Sequence, residues 1–328
     1  MMEKSNTRRR FLRAAALAGG AAAATGNAVH EAGATPRRRS TVELLHVGVA
    51  GVGEYSHIPT LWGPSINPDF PEIWPMRSTR MIISHCWDSR PEVAREFAKK
   101  YKCEAVKNYY DMADKVDGMI FGSFYECPWW PQLTKPYLEA GIPTFINRPF
   151  AFSMKDARAM VETARAHKTP ILCTDAHECI KEAQVARWKV EQLLKEGKQI
   201  LGVASDNDGS EYPAHGVHGI YFLLAILGMD VEKVSFQSDG WWSDTQYNNK
   251  KMSWGVLNLQ YKGISIEGAG QQKRPFAATQ HILAGQGSNA GIRLYHTGGW
   301  WDISCNWERG EQVNRLYHYF FPTVFAIQ

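Results

Sequence analysis

Between residues 44 and 174, short apolar runs alternate with amphipathic stretches at a spacing that fits a parallel sheet with helices on both faces. Leu44 to Ala50 (LLHVGVA) reads as a buried first strand, because it is short, continuous and ends in glycines. Met81 to Trp87 predicts a second strand, closed by Asp88, and Pro91 to Tyr101 a helix with proline in its first turn. Val116 to Gly122 gives a third strand, and Thr134 to Ala140 the end of a helix stopped by Gly141. Pro143 to Asn147 and Thr169 to Thr174 are further strands, separated by a helix from Lys155 to His167. The Pro-, Asn- and Ser-rich stretch 63–79 reads as an inserted loop behind an early helix at Ile58 to Leu61.

The pattern changes near residue 180. A long helix, Glu182 to Glu196, stops at Gly197, and strand-like runs then dominate: Gln199 to Ser205, Glu232 to Ser238, Ser253 to Tyr261, Ile264 to Gly268, His281 to Ala284 and Gly291 to His296. One helix, Val217 to Leu227, interrupts them. The expected fold is therefore α/β, with a dinucleotide-type domain over 43–176 and an α+β domain with a mostly antiparallel open sheet over 177–328.

The first 28 residues stand outside that pattern. Thr7-Arg8-Arg9-Arg10-Phe11-Leu12-Arg13 precedes an Ala/Gly/Leu run, and Gly26-Asn27-Ala28 offers the small-x-small site a signal peptidase needs. The order is that of a twin-arginine export signal, which a receptor reads as an address. It predicts a periplasmic destination and the export machinery as a partner. A basic nucleic-acid arm is the alternative, but the net charge of +4 is inflated by these same arginines. Residues 29–42 read as a solvated linker. No later segment has the roughly 18 apolar residues of a membrane span. The six cysteines show no CxxC pair, so disulfide pairing stays open. Of twelve tryptophans, six sit in adjacent pairs (129/130, 241/242, 300/301); their flat faces suit sugar rings, and core packing explains them equally well. At the other end, Tyr317 to Gln328 starts an apolar helix without a cap, which reads as a chain that continues further.

Gly51-Val52-Gly53 falls where a dinucleotide fold needs a tight turn and a close backbone approach to a pyrophosphate. The third glycine of the fingerprint is replaced by Ser56. Asp88 is placed to accept hydrogen bonds from the adenosine ribose, and a carboxylate there favours NAD over NADP.

At this point the chain resembles the Gfo/Idh/MocA family, the glucose–fructose oxidoreductase and inositol dehydrogenase relatives. The segment from Tyr137 to Pro149 (YLEAGIPTFINRP) is similar to the family's "AleAGkhVlcEKP", and His215-Gly-Val-His218 with the run to Gly228 is similar to its "DxGxH" segment. The resemblance implies a Rossmann domain, a carbohydrate substrate at the domain junction, and oligomers formed through the open sheet. It implies a cofactor set of Gly51, Gly53, Ser56, Asp88, Ser123, Arg148 and Pro149. Two departures stand out. Asn147-Arg148-Pro149 replaces Glu-Lys-Pro, and the family aspartate falls on Ala214. Arginine keeps the charge and can orient a hydroxyl, but it cannot deprotonate near neutral pH. His218 is left as the candidate base, with a core histidine at a helix start as the other reading. His215 is an extra histidine beside it, and His177 and Lys181 are candidate substrate contacts. The run Cys173-Thr-Asp175-Ala-His177-Glu178-Cys179 holds four kinds of metal ligand, but matches no standard spacing, so no metal is expected. The functional expectation is an exported NAD-dependent oxidoreductase of a sugar, recycling a tightly held cofactor. A non-redox sugar-binding descendant is the alternative.

Overall fold

The computed structural model describes residues 45–54, 56–59, 81–173, 175, 180–207, 216–244, 250–282 and 290–305. The leader, the linker, the inserted loop at 63–79, His177, Ala214, His215 and the apolar stretch 317–328 lie outside the described residues.

The first domain is a six-stranded, all-parallel sheet in the order β3-β2-β1-β4-β5-β6. Its strands are β1 (Leu45–Ala50), β2 (Met81–Trp87), β3 (Glu104–Ala105), β4 (Gly118–Phe121), β5 (Thr144–Ile146) and β6 (Ile171–Cys173). Helices α1 (Pro91–Tyr101), α2 (Trp130–Glu139) and α3 (Met154–Ala166) connect them. Each begins as its sequence dictates. Pro91 opens α1, where a missing N–H costs nothing, and Ser153 caps α3 by accepting the Asp156 N–H at 3.1 Å. Two apolar cores cover the sheet, one around Val47, Ile83, Phe97 and Ile120, the other around Phe121, Trp130, Tyr137 and Ile146. Burial on both sides is why these strands read as unbroken apolar runs.

The second sheet has the order β14-β13-β7-β12-β9-β8. Its members are β7 (Ile200–Asn207), β8 (Val231–Asp244), β9 (Lys250–Tyr261), β12 (Phe276–Ile282), β13 (Ala290–His296) and β14 (Gly299–Cys305). A small β10 (Ile264–Ile266)–β11 (Gly270–Gln272) ribbon sits beside it. All pairings in the six-stranded sheet are antiparallel except β7 with β12. Helices α4 (Lys181–Lys195) and α5 (Gly216–Leu227) cover one face, packing Val190, Leu193, Phe222 and Ile226 against Val203, Leu259, Ala278 and Leu294. The opposite face shows Leu201, Tyr295 and Trp300 to solvent.

Most boundaries match expectation within a few residues. Strand β8 runs six residues past the expected Ser238, because Gly240 lets the strand continue beneath the Trp254 ring. Strands β11 and β14 were not anticipated, and β12 begins five residues before the expected His281; in β14 the Trp300-Trp301 pair alternates faces, Trp300 outward and Trp301 onto the core. The Trp129-Trp130 pair divides the same way. One ring of each of these two pairs is therefore packed on the core and the other is exposed.

Candidate active site

In the parallel sheet the strand order reverses between β1 and β4, which opens a crevice at their carboxyl ends. Gly51, the first residue past β1, donates its N–H to the Trp87 carbonyl at 2.8 Å and turns with φ +73°. A Cβ there would lie 2.3 Å from the Ser123 Cβ, so both the conformation and the space demand glycine. At Gly53 the obstacle is different: a Cβ would lie 2.0 Å from Nη2 of Arg90, the far end of a flexible side chain. Ser56, at the third fingerprint position, is buried, pairs its backbone with Ser123, and accepts the Ile58 N–H on its hydroxyl at 3.1 Å. The Ser123 hydroxyl accepts in turn from the Tyr125 N–H at 3.0 Å. The turn after β1 is thus fastened to the turn after β4, and this joined pair of turns, the cradle, stands where a dinucleotide fold brings its backbone close to a pyrophosphate.

Asp88 stands at the end of β2 as expected, with its oxygens turned inward. Oδ2 accepts the Val52 N–H at 2.9 Å, while Oδ1 accepts the Arg90 N–H at 3.0 Å and its Nε–H at 3.2 Å. Arg90 then reaches Glu54 at 3.4 Å and lies 5.5 Å from the centre of the Tyr125 ring. Below them Glu126 is buried, taking the Ser89 hydroxyl hydrogen on Oε1, while its Oε2 has no hydrogen-bond partner. Burial first, and the Asp88 charge second, push the Glu126 carboxyl up.

The second half of the site is assembled from three segments. Asp175 lies two residues past β6, His218 lies in the first turn of α5, and Arg148 follows β5. His218 Nδ1 is 2.6 Å from Asp175 Oδ2, with both side chains buried. Arg148 Nε stands 3.7 Å from the same oxygen, and its guanidinium carbon sits 4.7 Å over the Phe124 ring. Asn147, in place of the family glutamate, sends its amide to the Gly122 carbonyl at 3.0 Å and its N–H to Phe121 at 2.8 Å, locking β5 to β4. The Arg148–Pro149 peptide that follows is cis. Gln280 of β12 holds the start of α5 through the Gly216 carbonyl at 3.1 Å, and one turn beyond His218, Tyr221 meets Cys173 at 3.5 Å.

With a carboxylate as acceptor, Nδ1 of His218 carries the hydrogen and Nε2 keeps its lone pair. A histidine oriented in this way by a buried carboxylate has the chemistry a general base requires. Arg148 contributes charge to Asp175 and faces Phe124, so its reach toward a substrate is shared with that anchoring. Lys181 is exposed at the first residue of α4. The expected cofactor residues Gly51, Gly53, Ser56, Asp88 and Ser123 do converge. Glu126 and Arg90 escaped the sequence reading, and Asp175 entered it only as a member of the run 173–179. Asp175 had a usable signal, since it lies just past the last parallel strand, where open α/β sheets place ligands. Among the described residues Cys86 and Cys103 are free thiols, and no helix is long and apolar enough to cross a membrane.

Residues 45–174 match the GFO_IDH_MocA family model, an oxidoreductase family with an NAD-binding Rossmann fold, and this segment is the NAD-binding Rossmann domain of the chain. No curated protein matches the sequence. Among solved structures, the fold is similar to that of the WlbA dehydrogenase from Bordetella pertussis in complex with NADH and UDP-GlcNAcA. The two share 14% identity and a TM-score of 0.60, over 83% of this chain and 80% of that one. It is similar to GenD2 from gentamicin A biosynthesis in complex with NAD, at 12% identity and a TM-score of 0.63, over 89% of this chain and 88% of that one. A third is myo-inositol 2-dehydrogenase from Lactobacillus plantarum, at 11% identity and a TM-score of 0.61, over 87% and 89%.

Proposed function

We propose that this chain, whose residues 45–174 are an NAD-binding oxidoreductase-type domain, is an exported dehydrogenase of a sugar or sugar derivative with His218 as its general base. The observation that carries the reading is the buried 2.6 Å contact between Asp175, just past the last strand of the cofactor domain, and His218 of the domain that follows. Asp175 fixes the tautomer and offsets the charge His218 acquires when Nε2 takes a proton from a substrate hydroxyl. Arg148 holds Asp175 in place. A nicotinamide held by the cradle would supply the acceptor for the hydride that must leave the same carbon. Gly51, Gly53, Ser56 and Ser123 would hold its pyrophosphate end, and the similar proteins solved with NAD or NADH support that assignment.

The Arg8-Arg9-Arg10-Phe11-Leu12 leader supports export with the cofactor already loaded, since twin-arginine substrates cross after folding. A cofactor carried out this way must be recycled within one catalytic cycle, as in oxidation followed by epimerisation, elimination or hydrolysis and then re-reduction. A second reading, a sugar-binding protein without redox chemistry, draws on Arg148 standing where the family has lysine. One experiment separates the two. Purified folded protein is denatured and assayed for released NAD(H), and the protein is titrated with NADH. Nucleotide recovered near one per chain supports the oxidoreductase; neither release nor binding would sink it in favour of the second reading.

A further inference from the structure

Three observations at the adenosine end of the cradle do not fit a site read by Asp88. The Asp88 side chain has no exposed surface, whereas the Arg90 side chain is 30% exposed. Both Asp88 oxygens are already taken by donors of this chain: Val52 N–H on one, the Arg90 backbone and guanidinium on the other. The pocket beside the Gly51–Gly53 turn is lined by Gly53, Arg90, Phe97, Lys100 and Tyr101 among others, and Asp88 is not part of its lining. The groups fronting it are the cations Arg90 and Lys100 and the exposed carboxylates Glu54 and Glu96. With Arg90 in that lining and Asp88 outside it, a ribose entering the pocket meets the Arg90 guanidinium and not the Asp88 carboxylate.

We propose that Arg90, rather than Asp88, reads the adenosine ribose, and that it lets the pocket take the 2′-phosphate of NADP(H) as well as the bare hydroxyl of NAD(H). This rests on the dinucleotide reading above and deepens it. Guanidinium and phosphate pair through two parallel N–H···O bonds, stronger than those Arg90 makes with neutral acceptors. To make them, Nη1 and Nη2 give up only the 3.4 Å contact with exposed Glu54. Nε stays on Asp88, whose negative charge is then offset by the same arginine that meets the phosphate. The rule that an acid at the end of the second strand excludes a 2′-phosphate assumes that the acid faces the ribose. Here it faces its own backbone.

The test is fluorescence titration of the folded protein with NADH and with NADPH, supplemented by adenosine 2′,5′-bisphosphate and 5′-AMP as competitors. The expected result is NADPH binding within about tenfold of NADH, with the bisphosphate displacing either more strongly than 5′-AMP. In Arg90→Ala the ratio of NADPH to NADH dissociation constants rises at least about tenfold, and in Arg90→Lys it rises less. NADH binding with NADPH weaker by more than about a hundredfold overturns this inference and leaves the dehydrogenase reading standing. A ratio unmoved in Arg90→Ala overturns it equally. If neither dinucleotide binds, the dehydrogenase reading falls and this one with it. Should Arg90→Ala not fold because Asp88 loses its partner, the wild-type comparison decides by itself.

Discussion

The cofactor cradle and the His218–Asp175 pair belong to one site but are built in opposite ways. Gly51, Asp88 and Ser123 each follow one of three neighbouring parallel strands, β1, β2 and β4, and touch through backbone and short side chains. Asp175 and His218 are separated by 43 residues and by the change from one sheet to the other. The cradle is a property of the turn itself. The pair exists only because β6 ends where α5 begins, with Gln280 of a third element holding that helix start. Binding and chemistry are therefore expected to be separable by mutation.

The largest effects belong to the pair. His218→Ala removes the base and is expected to slow turnover by about two to four orders of magnitude while bound NAD(H) stays at the wild-type level. Asp175→Asn keeps the shape but can turn an N–H toward Nδ1, favouring the wrong tautomer; a loss of similar size is expected, measured in the same assay. Asp175→Ala also strips Arg148 and His218 of their shared anion, and should cost about 3–5 kcal/mol in denaturant unfolding. If nucleotide content fell with turnover in His218→Ala, binding and chemistry would not be separable.

In the cradle, Gly51→Val must hold φ +73° with a β-branched side chain pressed on Ser123. The conformation alone costs about 1–3 kcal/mol, and NADH affinity should drop more than tenfold, or about 1.4 kcal/mol, in a titration. Asp88→Ala leaves the Val52 N–H without its acceptor, an expected loss of about 1–3 kcal/mol in unfolding free energy. The pair should survive both changes; a His218 side-chain NMR signal altered in Gly51→Val would show that the halves are coupled.

The difference between the halves is also the difference in how readable they were. Glycines after a first strand, and an acid after the second, mark the sequence locally, so the cradle and all six parallel strands but the two-residue β3 were expected from it. Asp175 appeared within a suggestive run of ligand-type residues, yet nothing local says that His218 lies beside it, since the contact depends on packing between elements. Arg90 defeated the reading for another reason. Asp88 was recognised by type and position, but whether a carboxylate faces a ribose or its own backbone is decided by the next two side chains. Glu126 left no periodic signal, because it sits in an irregular turn.

The smallest expected effect tests that turn. The Glu126 carboxyl is raised in the folded state, so the folded protein binds a proton more readily than the unfolded chain does. The stability this provides is complete below the ordinary value of 4.5 and is lost as pH rises through the raised one. Glu126→Gln, neutral throughout, should melt above the wild type at alkaline pH and converge with it below pH 4.5. A constant offset across the range would mean that the carboxyl is not held neutral.

The claim that cradle and pair serve one reaction is tested most directly by single-turnover reduction of protein-bound NAD. Wild type and His218→Ala, carrying matched amounts of NAD, are mixed with a panel of free sugars and sugar acids, and the near-ultraviolet absorbance of the reduced nicotinamide is followed. The account predicts a sugar-dependent rise in the wild type that is slowed at least about a hundredfold in the variant. An equal rise in both proteins, or none in the wild type with any sugar, would contradict it.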